Sequence, residues 1–464
     1  MIRVKPVRPP IQTDTGQPQA PPTVTPLTES RAEAYVASIC FKIGPPRRVG
    51  VELEWLVQDA RDPDAPVDPA RIDAAVEALG LRPPDPTLPA GSRITREPGG
   101  QVELSSPPAD SLTDCAETTL RDLGALRTAF AARGLSLVGL GTDPYPRQRR
   151  VVVHGPRYAA MEEFFGRGGP WGKIMMCASA SVQVCLDAGT DGPGSRGFRD
   201  RWRLLHLLGP VLVAAFANSP LLDGRPTGRR STRQAVWERV DPSRSLAPTP
   251  LADDPRQAWA RYVLDAELLC VRRGDGLPWT APGGLTFRDW LRGAGERPAT
   301  LDDLDYHLTT LFPPVRPQGH LELRMIDAQP DDGWLIPTAL VTALLDDDRA
   351  ADAALAALEP LADPDRDLPG PRGTLWTRAS THAVADPDLR RAAVACFAAA
   401  DEALPRLGAP AALRHAVAAF ADRYPGRGRC PADDQLDALA GRTSAGTRTR
   451  PGTDPATTQE TAPC

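Results

Sequence analysis

The string Gly50-Val51-Glu52-Leu53-Glu54-Trp55 alternates apolar and acidic residues. That period belongs to a strand with one buried face, because residues two apart in a strand point the same way. Val51, Leu53 and Trp55 then face a core, and Glu52 and Glu54 face away from it. By itself the string describes an amphipathic strand with a wet side, the ordinary outcome of such alternation. The pattern recurs, and the recurrence constrains the fold. Gln101-Val102-Glu103-Leu104-Ser105 alternates, with Glu97 just upstream. Ser181-Val182-Gln183-Val184-Cys185-Leu186-Asp187 alternates, and His320-Leu321-Glu322-Leu323-Arg324-Met325 puts Glu322 and Arg324 on one face. Placed in one antiparallel sheet, the four strands leave an apolar face for helices. They gather Glu52, Glu54, Glu103, Gln183, Glu322 and Arg324 on the other.

Carboxylates so close raise each other's pKa unless a cation sits among them. Oxygen donors without a thiolate or imidazole cluster suit a hard cation, Mg2+ before Ca2+ or Zn2+. Mg2+ held by carboxylates usually keeps positions for phosphate oxygens. The polar face therefore reads as a cradle for nucleotide phosphates. For Glu322 and Arg324 the competing account is an ion pair on a wet strand. Neither a Walker-type loop nor GxGxxG in strand-helix context occurs, so a nucleotide site is of another kind.

Four strings occur in the same order as in a known family: residues 50–55, Glu97-Pro98-Gly99-Gly100-Gln101-Val102-Glu103-Leu104-Ser105, Phe216-Ala217-Asn218-Ser219-Pro220 and Leu321-Glu322-Leu323-Arg324. Together they resemble the glutamate–cysteine ligases of the plant and bacterial type. The lead-in from Cys40-Phe41-Lys42 to Arg47-Arg48 is most similar to the bacterial branch that feeds ergothioneine synthesis. The resemblance spans about residues 30–345 of the chain. It implies an ATP- and Mg2+-dependent enzyme that joins glutamate to cysteine through a γ-glutamyl phosphate; a cytoplasmic address is the default expectation for a chain without a signal-peptide core or a membrane-length apolar run. It implies an α+β fold: a curved antiparallel sheet with a polar active-site face and helices on the other, like the glutamine synthetase catalytic fold. Carried over residue by residue, it makes Glu52, Glu54, Glu97, Glu103 and Glu322 ligands or lining of the metal site. Arg324 matches the glutamate-binding arginine, and Arg233 an arginine of a flap near the nucleotide. Gln183 stands where some members carry a metal-binding His, and a neutral amide can still lend an oxygen. Two other readings stay open: a related carboxylate–amine ligase with a different amine, and a non-catalytic homologue that keeps the sheet as a ligand sensor.

A net charge of −5 argues against a nucleic-acid-binding face. No run approaches the ~18 apolar residues that span a membrane, and residues 1–26 lack the apolar core of a signal peptide. Eight scattered cysteines without Cys-x-x-Cys read as free, mostly buried thiols. The six histidines are too dispersed to propose a cluster. Trp171 and Trp237 are candidates to frame a pocket, although most of nine tryptophans in such a chain belong to the core.

One catalytic domain is expected over residues 28–440, between a disordered leader (1–27) and a disordered tail (441–464), both without apolar periodicity. Ser30 and Glu33 form a capping box for a helix over 29–41. Asp68-Pro69 caps a helix stopping at Gly80, residues 83–91 are loop, and Ser111 opens a long helix ending at Gly134. Residues 135–140 read as a buried strand, 158–165 as a short helix and 198–218 as a buried helix. Helices follow over 254–271, 286–292 and from a Thr300/Asp303 cap to about 312. Ala-rich helices over 338–423 are expected to cover the apolar face. Residues 220–250 hold Arg225, Arg229, Arg230, Arg233, Arg239 and Arg244 among Gly, Pro and Ser. They read as a long loop, either a mobile cationic flap over triphosphate or a solvated segment.

Overall fold

Alternation builds the sheet. A computed structural model describes residues 27–81, 87–248, 254–274, 276–362 and 370–447. Its strands are β1 (Val49–Asp59), β2 (Arg93–Arg96), β3 (Val102–Ser105), β4 (Leu135–Val138), β5 (Ser181–Asp187), β6 (Leu221–Leu222), β7 (Arg225–Pro226), β8 (Val315–Pro317) and β9 (His320–Asp327). Seven of them make one sheet, ordered β2-β3-β1-β5-β9-β8, with β4 pairing the distal half of β1. Every pairing in it is antiparallel. The four alternating strings are thus the four consecutive central strands, β3-β1-β5-β9.

The register gathers the polar side chains. Glu54 lies opposite Glu103, Glu52 opposite Gln183, and Glu322 opposite both Cys185 and Arg316. The other face supplies Val51, Leu53, Leu104, Val184 and Leu323, all 1% exposed or less. Each buried aliphatic of this size is worth ~1.5–3 kcal/mol. A one-residue slip of β1 would drive Glu52 and Glu54 into that core, so the apolar face also holds the register.

The helices of the first half are α1 (Glu29–Cys40), α2 (Pro69–Glu77), α3 (Leu112–Ala131), α4 (Pro156–Gly166), α5 (Trp171–Ala178), α6 (Phe198–Ala215), α7 (Thr232–Trp237) and α8 (Pro242–Ser245). The second half adds α9 (Pro255–Asp265), α10 (Phe287–Asp289), α11 (Leu301–Leu308), α12 (Leu335–Asp346), α13 (Asp348–Leu358), α14 (Thr374–His382), α15 (Pro387–Ala403), α16 (Ala411–Arg423) and α17 (Pro431–Thr447). Helices α3, α6 and α12 pack on the strands, and α13, α15 and α16 pack on α12 outside them. This is the expected α+β arrangement, with the Ala-rich helices as cover.

Local signals were read correctly at several caps. Asp68 accepts from the Ala70 amide, Ser111 from the Asp114 amide, and Thr300 and Asp303 form a full capping box. At α1 the cap is Thr28, whose Oγ1 accepts from the Arg31 amide at 3.3 Å, and not Ser30. Residues 135–140 hold a strand, but only Leu135 of β4 is fully buried. The helix expected over 254–271 stops at Asp265, and the one expected to reach 312 stops at Leu308. Helix α17 was not anticipated, and it carries regular structure through Thr447 where an unstructured tail was expected from 441. Leu27 of the expected leader is buried; the rest of the leader, residues 448–464 of the tail and residues 83–86 of the expected loop lie outside the described residues.

Residues 220–248 correct the flap expectation. They form the β6–β7 hairpin and helices α7 and α8, not one long loop. Their arginines are mostly pinned. Arg229 donates to Ser380 Oγ at 2.7 Å and Arg230 to Asp433 at 2.6 Å. Arg239 lies over the Trp171 ring, and Arg244 is fully buried on Asp241 and the Thr310 carbonyl. Among the described residues no helix is long and apolar enough to cross a membrane.

Candidate active site

The polar face is closed at one side by the turn between β2 and β3, which carries Glu97. The Glu97 amide donates to the Gln101 carbonyl at 2.9 Å and the Gly100 amide to the Glu97 carbonyl at 2.8 Å. Gly100 sits at φ +94°, and a Cβ on Gly99 would stand 2.3 Å from Cys177 Cα, so both turn positions require glycine. The buried Gln101 amide donates to the Ser179 carbonyl at 2.9 Å and locks the turn to the end of α5. Glu97 is thereby held beside Glu103 and Glu54.

The carboxylates along the face do not share one environment. Burial, then the charges of Glu322 and Glu103, push Glu52 well above the usual carboxylate range. Burial and the neighbours Glu103 and Glu54 do the same to Glu97, and burial and Glu54 raise Glu103. Glu103 accepts from Thr95 Oγ1 at 2.8 Å and Ser105 Oγ at 3.2 Å. Glu54 accepts from the Ser181 amide at 2.8 Å, from Ser181 Oγ and from Gln183 Nε2, each at 3.0 Å. Glu322 is the exception. Burial favours its neutral form, but Arg316 and Arg324 outweigh burial and hold the carboxyl down to about 2.

Arg316 grips Glu322 with two bonds, 3.0 Å from Nε and 2.8 Å from Nη2, and Gln318 adds a third at 3.1 Å. Arg324 Nη1 donates to Glu322 Oε1 and, at 2.5 Å, to Gln183 Oε1. Gln183 therefore bridges Arg324 to Glu54 with its two ends. Both oxygens of Glu322 and the amide oxygen of Gln183, expected on the metal, are occupied by these donors. Arg233 is 3% exposed at the start of α7, in a helix and not a loop, and donates from Nη2 to the Arg324 carbonyl at 2.9 Å.

All eight residues named from sequence thus come together on one face or directly behind it. Others were missed. Arg316 is one; the short Gln318-Gly319-His320 connection was its available signal, since with Pro317 opposite Leu321 it sets Arg316 opposite Glu322. Asp327 is another: buried at the end of β9, it accepts from the Asn218 amide, Ser219 Oγ and Ser231 Oγ at 2.9, 2.7 and 3.0 Å. Ser219 Oγ in turn accepts from the Arg233 amide, so this network sets the position of α7. No sequence pattern pointed to it. Cys185 lies on the polar face between Glu52 and Glu322. Burial and those two charges push its thiol well above its ordinary value. The seven described cysteines are free thiols.

The donor chemistry of the face suits a hard metal ion. Its free donors are carboxylate oxygens, including those of the part-buried, like-charged Glu52, Glu97 and Glu103, and a hard divalent cation would relieve their repulsion. Among the described residues, no three His, Cys, Asp or Glu side chains already close around one metal-sized point. The residues fit a magnesium-type ion in kind, then, with side chains still to draw together. A roomier recess lined by Val271, Arg273, Trp290 and Glu296 shares no residue with the face.

Comparison with known proteins agrees with this chemistry. The model of the family described as glutamate–cysteine ligase family 2 (GCS2) matches residues 48–457. The protein named glutamate–cysteine ligase EgtA of Mycolicibacterium smegmatis is 41% identical over 419 residues, covering 89% of this chain and 92% of its own length. EgtA of Mycobacterium tuberculosis is 41% identical over 427 residues, covering 90% and 92%. The chloroplastic glutamate–cysteine ligase of Medicago truncatula is 35% identical over 247 residues, 51% of this chain and 47% of its own.

Proposed function

From the premise that the chain belongs to glutamate–cysteine ligase family 2, we propose that it makes γ-glutamylcysteine from glutamate and cysteine at the expense of ATP. The observation that carries this reading is the crowding of the part-buried Glu52, Glu97 and Glu103 beside like charges, with Arg324 among them. Such an arrangement destabilises a bare fold, and it matches what phosphoryl transfer requires: metal ligands beside a cation that fixes the acceptor. Bound Mg2+ would supply neutralisation of the charge on the transferring phosphoryl group. Glu52, Glu54, Glu97 and Glu103 would hold it; Glu322 joins them where a bond to Arg316 or Arg324 opens.

Amide formation from a carboxylate and an amine is uphill in water. Transfer of the γ-phosphoryl group of ATP to the glutamate γ-carboxylate forms an acyl phosphate and releases ADP. The cysteine amine then attacks the acyl carbon, the new C–N bond forms, and phosphate departs. This chain's contribution is placement. Arg324 holds the glutamate end, Gln183 and Glu322 hold Arg324, and the β2–β3 turn holds Glu97. A cytoplasmic address and a product that feeds ergothioneine synthesis belong to the same reading, after the lead-in at residues 40–48. The test is ADP release across a panel of amino-acid pairs with Mg2+. Release that needs glutamate and cysteine together supports it. Release with glutamate and another amine makes the protein a related ligase, and binding without turnover makes it a sensor.

A further inference from the structure

We propose that Asp433 and Gln435 of α17 are positioning residues for the reaction, and that through Arg230 and Asn218 they set Arg233 and Arg324 for turnover. The proposal rests on the ligase reading and extends it to a helix that begins at Pro431, far beyond the end of the last sheet strand at Asp327. The string Phe216-Ala217-Asn218-Ser219-Pro220 stood out in the sequence, and its middle residues are buried, Asn218 at 2% exposure and Ser219 at 1%. Their partners are protein groups. The Asn218 side chain donates to the Gly139 and Ala328 carbonyls at 2.9 and 2.7 Å, and its Oδ1 accepts from Gln435 Nε2 at 2.6 Å. The same Gln435 nitrogen donates to the Asn218 carbonyl at 3.0 Å, and the Ala432 amide donates to the Ala217 carbonyl at 2.9 Å. Asp433 holds a second point. One of its oxygens accepts from Arg230 Nε at 2.6 Å, and the other from the Cys430 amide at 2.9 Å.

The segment that bears Arg233 cannot hold itself in place. It consists of the two-residue strands β6 and β7 and then α7, six residues long, and a helix that short has no stability of its own in water. Its position is set from outside, at three clamps. Asp327 of β9 takes the Asn218 amide and the hydroxyls of Ser219 and Ser231. The Ser380 carbonyl of α14 accepts from the Arg230 and Ser231 amides at 2.8 and 3.0 Å. Helix α17 holds Arg230 and Asn218. Between the clamps, the Thr232 amide donates to the Ser219 carbonyl at 2.8 Å and the Arg233 amide to Ser219 Oγ at 3.1 Å. Arg233 then reaches the Arg324 carbonyl, so bonds run without a break from Gln435 through Asn218 and Ser219 to the polar face. The clamps differ in depth. Asp327 and Ser380 are 2% and 1% exposed, and their loss opens the core, whereas the side chains of Arg230 and Asp433 keep 31% and 16% exposure. The α17 clamp is therefore the one that a substitution releases without unfolding the molecule. A misplacement of about 1 Å in a group that orients the reactants costs up to about a hundredfold in rate.

The test uses Asp433→Asn, which keeps an oxygen for the Cys430 amide but drops the charge on Arg230, and Gln435→Met, which keeps the length and removes the donor. Asp437→Asn is the control, on the same helix but paired with Arg429 rather than with residues 218–233. In the full chain, kcat for γ-glutamylcysteine formation is expected to fall about tenfold in each of the two variants. The melting temperature should stay within about 3 °C, and Asp437→Asn should leave both unchanged. An Arg233→Lys background separates positioning from general weakening. There Asp433→Asn should cost less than about twofold, because both changes act through one guanidinium. Full kcat in both variants overturns the proposal, and so does a tenfold loss that persists in the Arg233→Lys background. Hydrogen exchange gives a readout that needs no turnover: the amides of Thr232–Trp237 should exchange about tenfold faster in both variants, and those of α12 and α15 at the natural protein's rate. Faster exchange in α7 of a protein that shows no ligase turnover keeps the hold of α17 on Arg233 and removes the ligase reading. Turnover with unaltered kcat and exchange does the reverse.

Discussion

Replacing Arg316 with Met asks how much of the site's stability lies in one missed residue. Arg316 is 12% exposed at its side chain and Glu322 1%, and two charge-assisted bonds join them. The carboxyl of Glu322 lies at about 2 rather than 4.5, against burial that favours the opposite. At ~1.4 kcal/mol per pH unit, the arginines stabilise the folded protein at neutral pH by on the order of 3 kcal/mol. The sign follows from proton binding. A carboxyl lowered by folding binds fewer protons in the native state, so its contribution is complete above 4.5 and disappears as pH falls toward 2. Arg316→Met leaves Glu322 with Arg324 and Gln318 alone. It should cost a part of that, about 1–3 kcal/mol, in urea unfolding at pH 7. The difference from the natural protein should shrink as pH falls from 4.5 toward 2. In a Glu322→Gln background the same substitution should cost much less, which isolates the pair. A cost below about 1 kcal/mol at pH 7, or an equal cost with and without Glu322, would refute the reasoning.

Glu103→Gln keeps the acceptor for Thr95 and Ser105 but removes one of the repelling charges. It should raise the melting temperature of the metal-free protein at pH 8 while abolishing most turnover; a lower melting temperature contradicts the repulsion. Because Glu52, Glu97 and Glu103 are raised, the folded state binds more protons than the unfolded chain above 4.5, so metal-free stability falls as pH rises through their range. Mg2+ needs the ionised forms, so its stabilisation in a thermal melt should grow over the same window, and a flat response to pH would exclude these acids as its ligands. Arg324→Lys loses the planar fork and should raise the KM for glutamate about ten- to a hundredfold, from roughly 1.5–3 kcal/mol of charge-assisted bonding. A rise in the KM for ATP instead would move Arg324 to the phosphate side.

Strings of period two carried most of the fold's central information. Val51, Leu53, Leu104, Val184 and Leu323 had to share a dry face, so Glu52, Glu54, Glu103, Gln183 and Glu322 had to share the other. Helix ends were legible where a cap lies within a few residues of what it caps, as at Asp68, Ser111 and Thr300. Residues 220–248 differ from the expected loop because their arginines meet partners far along the chain: Ser380, Asp433, Trp171 and Thr310.

The same division runs through the site. Alternation is a local property, enforced by strand geometry and the cost of burying charge, so the sequence alone determined which side chains line the polar face and that acids predominate there. Which acid keeps its charge depended on contacts that no local pattern encodes. Glu322 and Glu52 sit in similar strings, yet one is lowered by Arg316 and Arg324 and the other raised by burial and its neighbours. The Asp327 network that sets Arg233, and the bond of Gln435 to Asn218 beside it, likewise exist only once β9, α7 and α17 are packed together. Electrostatic energy depends on distance and burial in three dimensions, so the tertiary structure decided the charge of each group after the sequence had decided its position.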